Sequence, residues 1–291
     1  MIRVLATTVT RGLNIAALAR RTGVAPDTLR KWEQRYGILQ PERTPGGQRR
    51  YTERDVARVE WLQARLAEGY RIGEAAQLLG NVAAGRTPAE HVRAILAAAD
   101  RADGGEVGLR LDQAFALHSV DTVLQRVVAP LLEEVGKRWS SGELTVAQEH
   151  LVSESVRSRL GHLLGDVGGG VRGVVVLACA PGERHELGLM TVAIALRNDG
   201  WKVAYVGADT PLADACELAR SAGAALLGIS VCMQEHTVEL ERDLAACERP
   251  DGLRVVVGGA AASKSLAKKI RGRYVDGDLD EIVRGVRALA A

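Results

Sequence analysis

Aromatic residues are scarce in this chain: one Phe, five Tyr and four Trp among 291 residues. Its cores must therefore be built from Leu, Val, Ile and Ala, and at 47% hydrophobic residues there is enough for two or three compact domains. Cysteine is also sparse. Cys179, Cys216, Cys232 and Cys247 are widely spaced with no CxxC pair, which excludes a paired-cysteine zinc site and a disulfide framework and predicts reduced, mostly buried thiols. Long apolar runs are missing too. None reaches the roughly 18 residues of a membrane span, and the apolar stretch in MIRVLATTVT is too short for a secretory leader. The expectation is a cytoplasmic protein without membrane attachment, and the chain shows no internal repeat or low-complexity tract.

The net charge of +2 is small but unevenly spread. Residues 1–80 hold 14 Lys and Arg against 8 Asp and Glu, a balance of +6, which leaves −4 for the other residues. A basic module joined to a mildly acidic one points to a polyanion partner for the first. Two small-residue breaks, VAAGRTP at 82–88 and GGG at 168–170, divide the chain into blocks of residues 12–80, 88–166 and 171–291.

In the first block Asn14 is placed to cap a helix from Ile15 to Arg21, Gly23 takes a turn, and Asp27 is positioned to open a helix to Tyr36. That is a helix-turn-helix. The segment RTPGGQRRY from Arg43 to Tyr51 reads as a β-hairpin with Pro45, Gly46 and Gly47 at its tip and basic residues beside it. Helices about Glu53–Leu66 and Ile72–Leu79 complete the block. The run LNIAALARRTGVAPDTLRKWEQRYGIL followed by PERTPGGQRRYTERDV resembles the winged helix-turn-helix of the MerR family of transcription regulators across the whole block. The resemblance implies double-stranded operator DNA as partner, with Thr28, Arg30, Lys31 and Arg35 on a helix in the major groove and Arg49, Arg50 and Tyr51 of the wing on flanking phosphates. Thr28 and Arg30 are the better candidates for base edges. The long heptad helix that joins two protomers in that family is missing, so self-association must come from the rest of the chain.

The second block gives four helical stretches, about Ala89–Ala99, Gly105–His118, Val120–Lys137 and Thr145–Leu164, read as a four-helix bundle. Trp139 is expected in the short loop RWSSGEL, and Glu149 and His150 follow ten and eleven residues later. On spacing alone these are a loop Trp covering a core and a surface Glu-His pair. The alternative is that Glu149 and His150, 100° apart on one helix, border a pocket beneath Trp139.

The third block alternates strand-like and helix-like runs, beginning with GVVVLA at Gly173–Ala178 and a helix from Leu187, which predicts a doubly wound parallel sheet of flavodoxin-like, Rossmann-type form. Its polar and small residues gather at strand C-termini: Glu183, His185 and Gly188 after the first strand, Ser230 ending the third, Gly258 and Gly259 after the fourth. Ligands bind at that edge of such sheets. A loop bearing one imidazole, with a carboxylate two residues before it, offers a single metal ligand. His236, soon after the third strand, fits no pattern and is read as surface.

This constellation resembles the cobalamin-binding domain of methionine synthase, corrinoid-carrier proteins and base-off mutases. On that resemblance His185 binds cobalt from below, Glu183 holds its other ring nitrogen, and Gly188, Ser230, Gly258 and Gly259 line the cleft for the displaced nucleotide tail. The spacing Trp139, nine residues, Glu149-His150 then resembles the cap over the upper face of cobalamin in light-sensing MerR-type repressors of the CarH/LitR group, which implies contacts of Trp139, Glu149 and His150 with a 5′-deoxyadenosyl group. The whole chain is thus similar to multidomain α and α/β regulators that are not enzymes, bind adenosylcobalamin and assemble as dimers or tetramers on DNA. In studied photoreceptors of that group a histidine directly follows the motif Trp; here Ser140 stands there, and a hydroxyl is a poor cobalt ligand. Cobalamin binding is expected, a light-locked bis-histidine state is not. A regulator sensing the cobalamin form or another small molecule without photochemistry stays open, and a corrinoid carrier for methyl transfer is disfavoured by the DNA-binding block.

Overall fold

The computed structural model describes residues 12–44, 46–83, 86–165 and 170–290. The segment MIRVLATTVT, the hairpin-tip residue Pro45 and parts of both expected linkers lie outside the described residues. The chain divides into two compact units, Met1–Val152 and Ser153–Ala291.

The first unit begins with α1 (Ile15–Thr22) and α2 (Pro26–Tyr36). Asn14 caps α1, its side-chain oxygen accepting from the Ala17 amide at 2.8 Å, and Gly23 ends it with φ of 70°, the left-handed conformation glycine adopts without strain. The expected opening of α2 at Asp27 is corrected: Pro26 takes the first helical position, where its missing N–H costs nothing, and Asp27 lies in the first turn. Strands β1 (Glu42–Arg43) and β2 (Arg49–Arg50) pair antiparallel as the wing, and Leu13 extends the ladder through two backbone hydrogen bonds with Tyr51. α3 (Glu53–Ala67) starts with a capping box in which Thr52 and Asp55 satisfy each other's amides, and α4 (Ile72–Ala83) follows.

Then come α5 (Pro88–Asp100), α6 (Gly104–Leu117), α7 (Val120–Val123), α8 (Ala129–Ser140) and α9 (Val146–Gly165), the last beginning in the first unit and ending in the second. Between α7 and α8 the backbone widens into a π-turn at Leu124–Val128, where the Ala129 amide bonds back to Leu124. The cause is Pro130, which has no N–H to donate and whose ring would strike the preceding turn of a regular helix. Ala116 and Leu117 of α6 join the core of Leu18, Leu29, Trp32, Val59 and Leu62. Buried Arg58 fixes this packing, donating to Ala116 O at 3.0 Å and Ile38 O at 2.8 Å.

The second unit contains β3 (Val174–Cys179), α10 (Leu187–Asn198), β4 (Lys202–Gly207), α11 (Leu212–Ser221), β5 (Leu226–Ser230), α12 (Thr237–Ala246), β6 (Arg254–Gly258), α13 (Lys264–Lys269), β7 (Arg273–Tyr274) and α14 (Leu279–Ala290). The five strands are all parallel in the order β4-β3-β5-β6-β7. One face of the sheet packs Val176, Ile229 and Val257 under α11, α12 and α13; the other packs Val175, Leu177 and Val256 under α10 and α14. Strand order reverses between β3 and β5, so the loops leaving those two strands diverge and open a crevice at the C-terminal edge. Among the described residues no helix is long and apolar enough to cross a membrane.

Candidate cofactor site and nucleic-acid interface

The loop after β3 is organised by Glu183. Its side chain is 0% exposed, and it accepts four hydrogen bonds. Oε1 takes the His185 amide at 2.9 Å and faces His185 Nδ1 at 2.6 Å, while Oε2 takes the amides of Cys232 at 2.7 Å and Met233 at 2.9 Å, which follow β5. Burial alone would raise its pKa, but these bonds outweigh it and hold the carboxyl at about 2. Glu183 is therefore an anion at neutral pH, and the His185 ring donates to it through Nδ1. In the neutral ring that contact selects the tautomer whose Nε2 is free to ligate a metal. The His185 side chain is 60% exposed. The loop is braced further by Asp209, which accepts from the Gly182 amide at 2.7 Å and donates its own amide to Glu183 O at 2.8 Å. His236 is not a surface residue: its side chain is 19% exposed and so close to Gly182 that a Cβ there would lie 2.7 Å from Nδ1.

A cleft of about 470 Å³ runs from this loop down the α10 and α14 face of the sheet, lined by Gly188, Ser230, Cys232, Gly258, Gly259 and apolar side chains such as Leu177. A Cβ at Gly188 would meet no protein atom within 4 Å, so this glycine leaves the cleft mouth open. Gly259, which also lines the cleft, has a φ of 103°, and a Cβ there would lie 2.4 Å from Val231 O, so the backbone itself demands glycine. Among the described residues no three His, Cys, Asp or Glu side chains gather to hold a metal ion. All four cysteines are free, Cys179 and Cys216 buried and Cys232 and Cys247 partly so.

Trp139 is not in a loop. It occupies the last turn of α8 and is 48% exposed, and the Ser140 hydroxyl donates to Lys137 O at 2.8 Å. Glu149 and His150 lie in the first turns of α9, with His150 Nε2 3.4 Å from Glu149 Oε2.

On α2, Arg30, Lys31 and Arg35 are exposed and Thr28 is half-buried. Arg30 pairs with Asp27 at 2.8 Å, and Arg35 lies over the Tyr36 ring at 5.7 Å. The wing differs from expectation. Tyr51 is 0% exposed, and its hydroxyl donates to Glu33 Oε2 at 2.9 Å, so it belongs to the core and offers nothing to a phosphate. Arg49 is drawn to the other oxygen of Glu33 at 2.8 Å, and Arg50 beside it is half-buried. Sequence reasoning missed Glu33, because its partners lie 16 and 18 residues away. It also missed Asp209 and Glu186, which directly follows His185 and whose signal was only a carboxylate at a helix start.

Three family models cover most of the chain: a MerR HTH family regulatory protein over residues 13–81, a B12 binding domain over 92–164 and a second B12 binding domain over 173–285. Together with the winged helix and the histidine-bearing sheet edge they define the class, a MerR-type regulator with B12-binding domains. Among curated proteins the chain is 40% identical to the HTH-type transcriptional repressor CarH of Myxococcus xanthus over 86% of this chain and 89% of that one. It is 36% identical to the HTH-type transcriptional repressor CarA of the same organism over 87% and 88%. Among solved structures the Methanosarcina barkeri monomethylamine corrinoid protein shares the fold, at 17% identity and a TM-score of 0.57, over 67% of this chain and 96% of that one. The chain belongs to the family of MerR-type transcriptional repressors that includes CarH and CarA.

Proposed function

We propose that this protein is a cobalamin-binding transcriptional repressor in which His185 is the lower ligand of cobalt and the winged helix-turn-helix holds the operator. The observation that carries the reading is the Glu183–His185 pair: a fully buried, ionised carboxylate lies 2.6 Å from Nδ1 in a loop that ends at the cleft-lining Gly188. The residues fit the group. Gly188, Ser230, Gly258 and Gly259 would house the nucleotide tail, and Trp139, Glu149 and His150 would meet the upper side. Bound adenosylcobalamin supplies a cobalt–carbon bond that light or chemistry can break. Loaded chains, organised as a DNA-binding block at 12–80, a helical cap at 88–166 and a cobalamin block at 171–291, would assemble as dimers or tetramers in the cytoplasm. Two or more winged helices then grip one operator and gain affinity by avidity. Arg30 and Thr28 are assigned to base edges and Lys31, Arg35 and Arg50 to phosphates. No catalytic role is assigned to any residue. The test is the absorption spectrum of the protein purified with adenosylcobalamin in the dark: wild type carries one corrin with a histidine-ligated spectrum, and His185→Ala changes that spectrum or loses the corrin. A His185→Ala spectrum identical to wild type would contradict the assignment.

A second reading, that the regulator responds to the cobalamin form without photochemistry, is favoured by Ser140. Its hydroxyl is engaged with Lys137 O at 2.8 Å and offers no imidazole to cobalt. Illumination of the loaded protein separates the two: persistent loss of assembly after green light supports light sensing, and dependence on the added cobalamin alone supports the second.

A further inference from the structure

Glu186 stands at the N-cap of α10, next to His185, and its side chain is turned inward, only 15% exposed. Oε2 accepts from the Tyr205 hydroxyl at 2.7 Å and from the Ala208 amide at 3.1 Å. Oε1 accepts from Arg157 Nη1 on α9. The end of β4 is shaped around this carboxylate. The β3–β4 register slips between Leu177 and Ala178, placing Gly207 beside Ala178, and a Cβ on Gly207 would lie 2.9 Å from Glu186 Oε2. Burial pushes the Tyr205 phenol well above its ordinary value, so it stays a donor. Three donors, from β4, the loop after it and α9, thus converge on one carboxylate adjacent to the histidine. α9 has further ties to the same region: the Arg197 guanidinium of α10 donates to Leu164 O at 2.5 Å, and Leu164 packs against the core on the α10 face of the sheet.

We propose that Glu186 is a positioning residue that couples the His185 loop to α9 through Arg157, so that a ligand bound at His185 is felt along that helix. The proposal rests on the reading of His185 as the cobalt ligand. Its logic is geometric. A displacement of the loop moves Glu186 with it, because His185 and Glu186 are consecutive. A charge-assisted hydrogen bond to Arg157 weakens steeply with distance, so α9 must either follow or lose its partner. Helix α9 is continuous from Val146 to Gly165, and Arg157 lies seven residues after His150 on it, about two turns along. Cofactor occupancy and the segment bearing Glu149 and His150 are therefore joined by one helix, without any second histidine at position 140.

Hydrogen exchange of the full chain, with and without adenosylcobalamin in the dark, tests this. In wild type, loading slows exchange of the amides around residues 154–161 by about tenfold, the size of a typical coupling. In Glu186→Gln and Arg157→Met the slowing of α9 falls below about twofold, while the loop at 182–188 is still protected by the corrin. Tyr205→Phe, which keeps the Arg157 bond, retains most of the α9 response and serves where Glu186→Gln does not fold. Equal protection of α9 on loading in wild type, Glu186→Gln and Arg157→Met overturns the proposal, as does a wild-type α9 that ignores loading. A wild-type chain whose spectrum shows no corrin overturns the reading of His185 and the coupling together, which separates that failure from failure of the coupling alone.

Discussion

Glu183 is fully buried between the loop after β3 and the loop after β5. The loop draws the side chain under β5, where the Cys232 and Met233 amides anchor one oxygen and leave the other for His185. Removing the charge while keeping the shape tests the orienting role. Glu183→Gln should weaken cobalamin binding by about 10- to 100-fold, as loss of an outer-shell partner does at metal-bound histidines; a spectral titration giving the wild-type constant would contradict it. A second residue-scale consequence concerns His91, which is 0% exposed and has neither ring nitrogen hydrogen-bonded. Burial, and then the nearby His118, depress its pKa from 6.5 to about 4. The unfolded chain therefore binds a proton that the folded chain refuses between those values. Stability is full above the ordinary pKa and is lost as pH falls from 6.5 towards 4, by about 2 kcal/mol at pH 5. Urea unfolding of wild type at pH 7.5 and 5 should show this loss, and His91→Phe should reduce it.

Elements were legible where a local rule decides them. Asn14 capping α1, the Gly23 stop, the hairpin around Gly46 and Gly47, and the alternation that builds the parallel sheet all follow from residues within a few positions of one another. The histidine loop and the cleft glycines were singled out for a related reason, since each follows or ends a strand at one edge of the sheet. What was not legible depends on partners far along the chain. Arg49 and Tyr51 sit in a basic hairpin, but Glu33 on the facing helix engages both, and Tyr51 follows the strand alternation into the core. Trp139 lies beside Ser140, Ser141 and Gly142, which suggest a loop. Yet the Ser141 amide still bonds to Lys137 O at 3.0 Å, so α8 runs on through Ser140. The wing correction has a measurable form. Tyr51→Phe should destabilise the first unit by about 1 kcal/mol through the lost buried hydrogen bond and leave the salt dependence of DNA binding unchanged. Lys31→Ala should lower the slope of log affinity against log salt by about 0.9 if it meets a phosphate. An unchanged slope in Lys31→Ala together with a lowered one in Tyr51→Phe would reverse the assignment.

At the scale of the whole molecule, one chain joins a winged helix-turn-helix to a sheet edge that offers a single imidazole, and its relatives at 40% and 36% identity are transcriptional repressors. On the proposed function, cofactor-dependent contacts between loaded chains supply the second DNA-binding unit. Affinity for an operator then depends on loading through avidity, a factor set by geometry more than by any single contact. The most direct test of the central claim is to recover fragments of the source genome bound by the purified protein in the dark, with and without adenosylcobalamin, and sequence them. The account predicts that the loaded wild type enriches one or a few discrete sites, and that the apo protein and the loaded His185→Ala variant do not. Equal enrichment of the same sites by all three would contradict it.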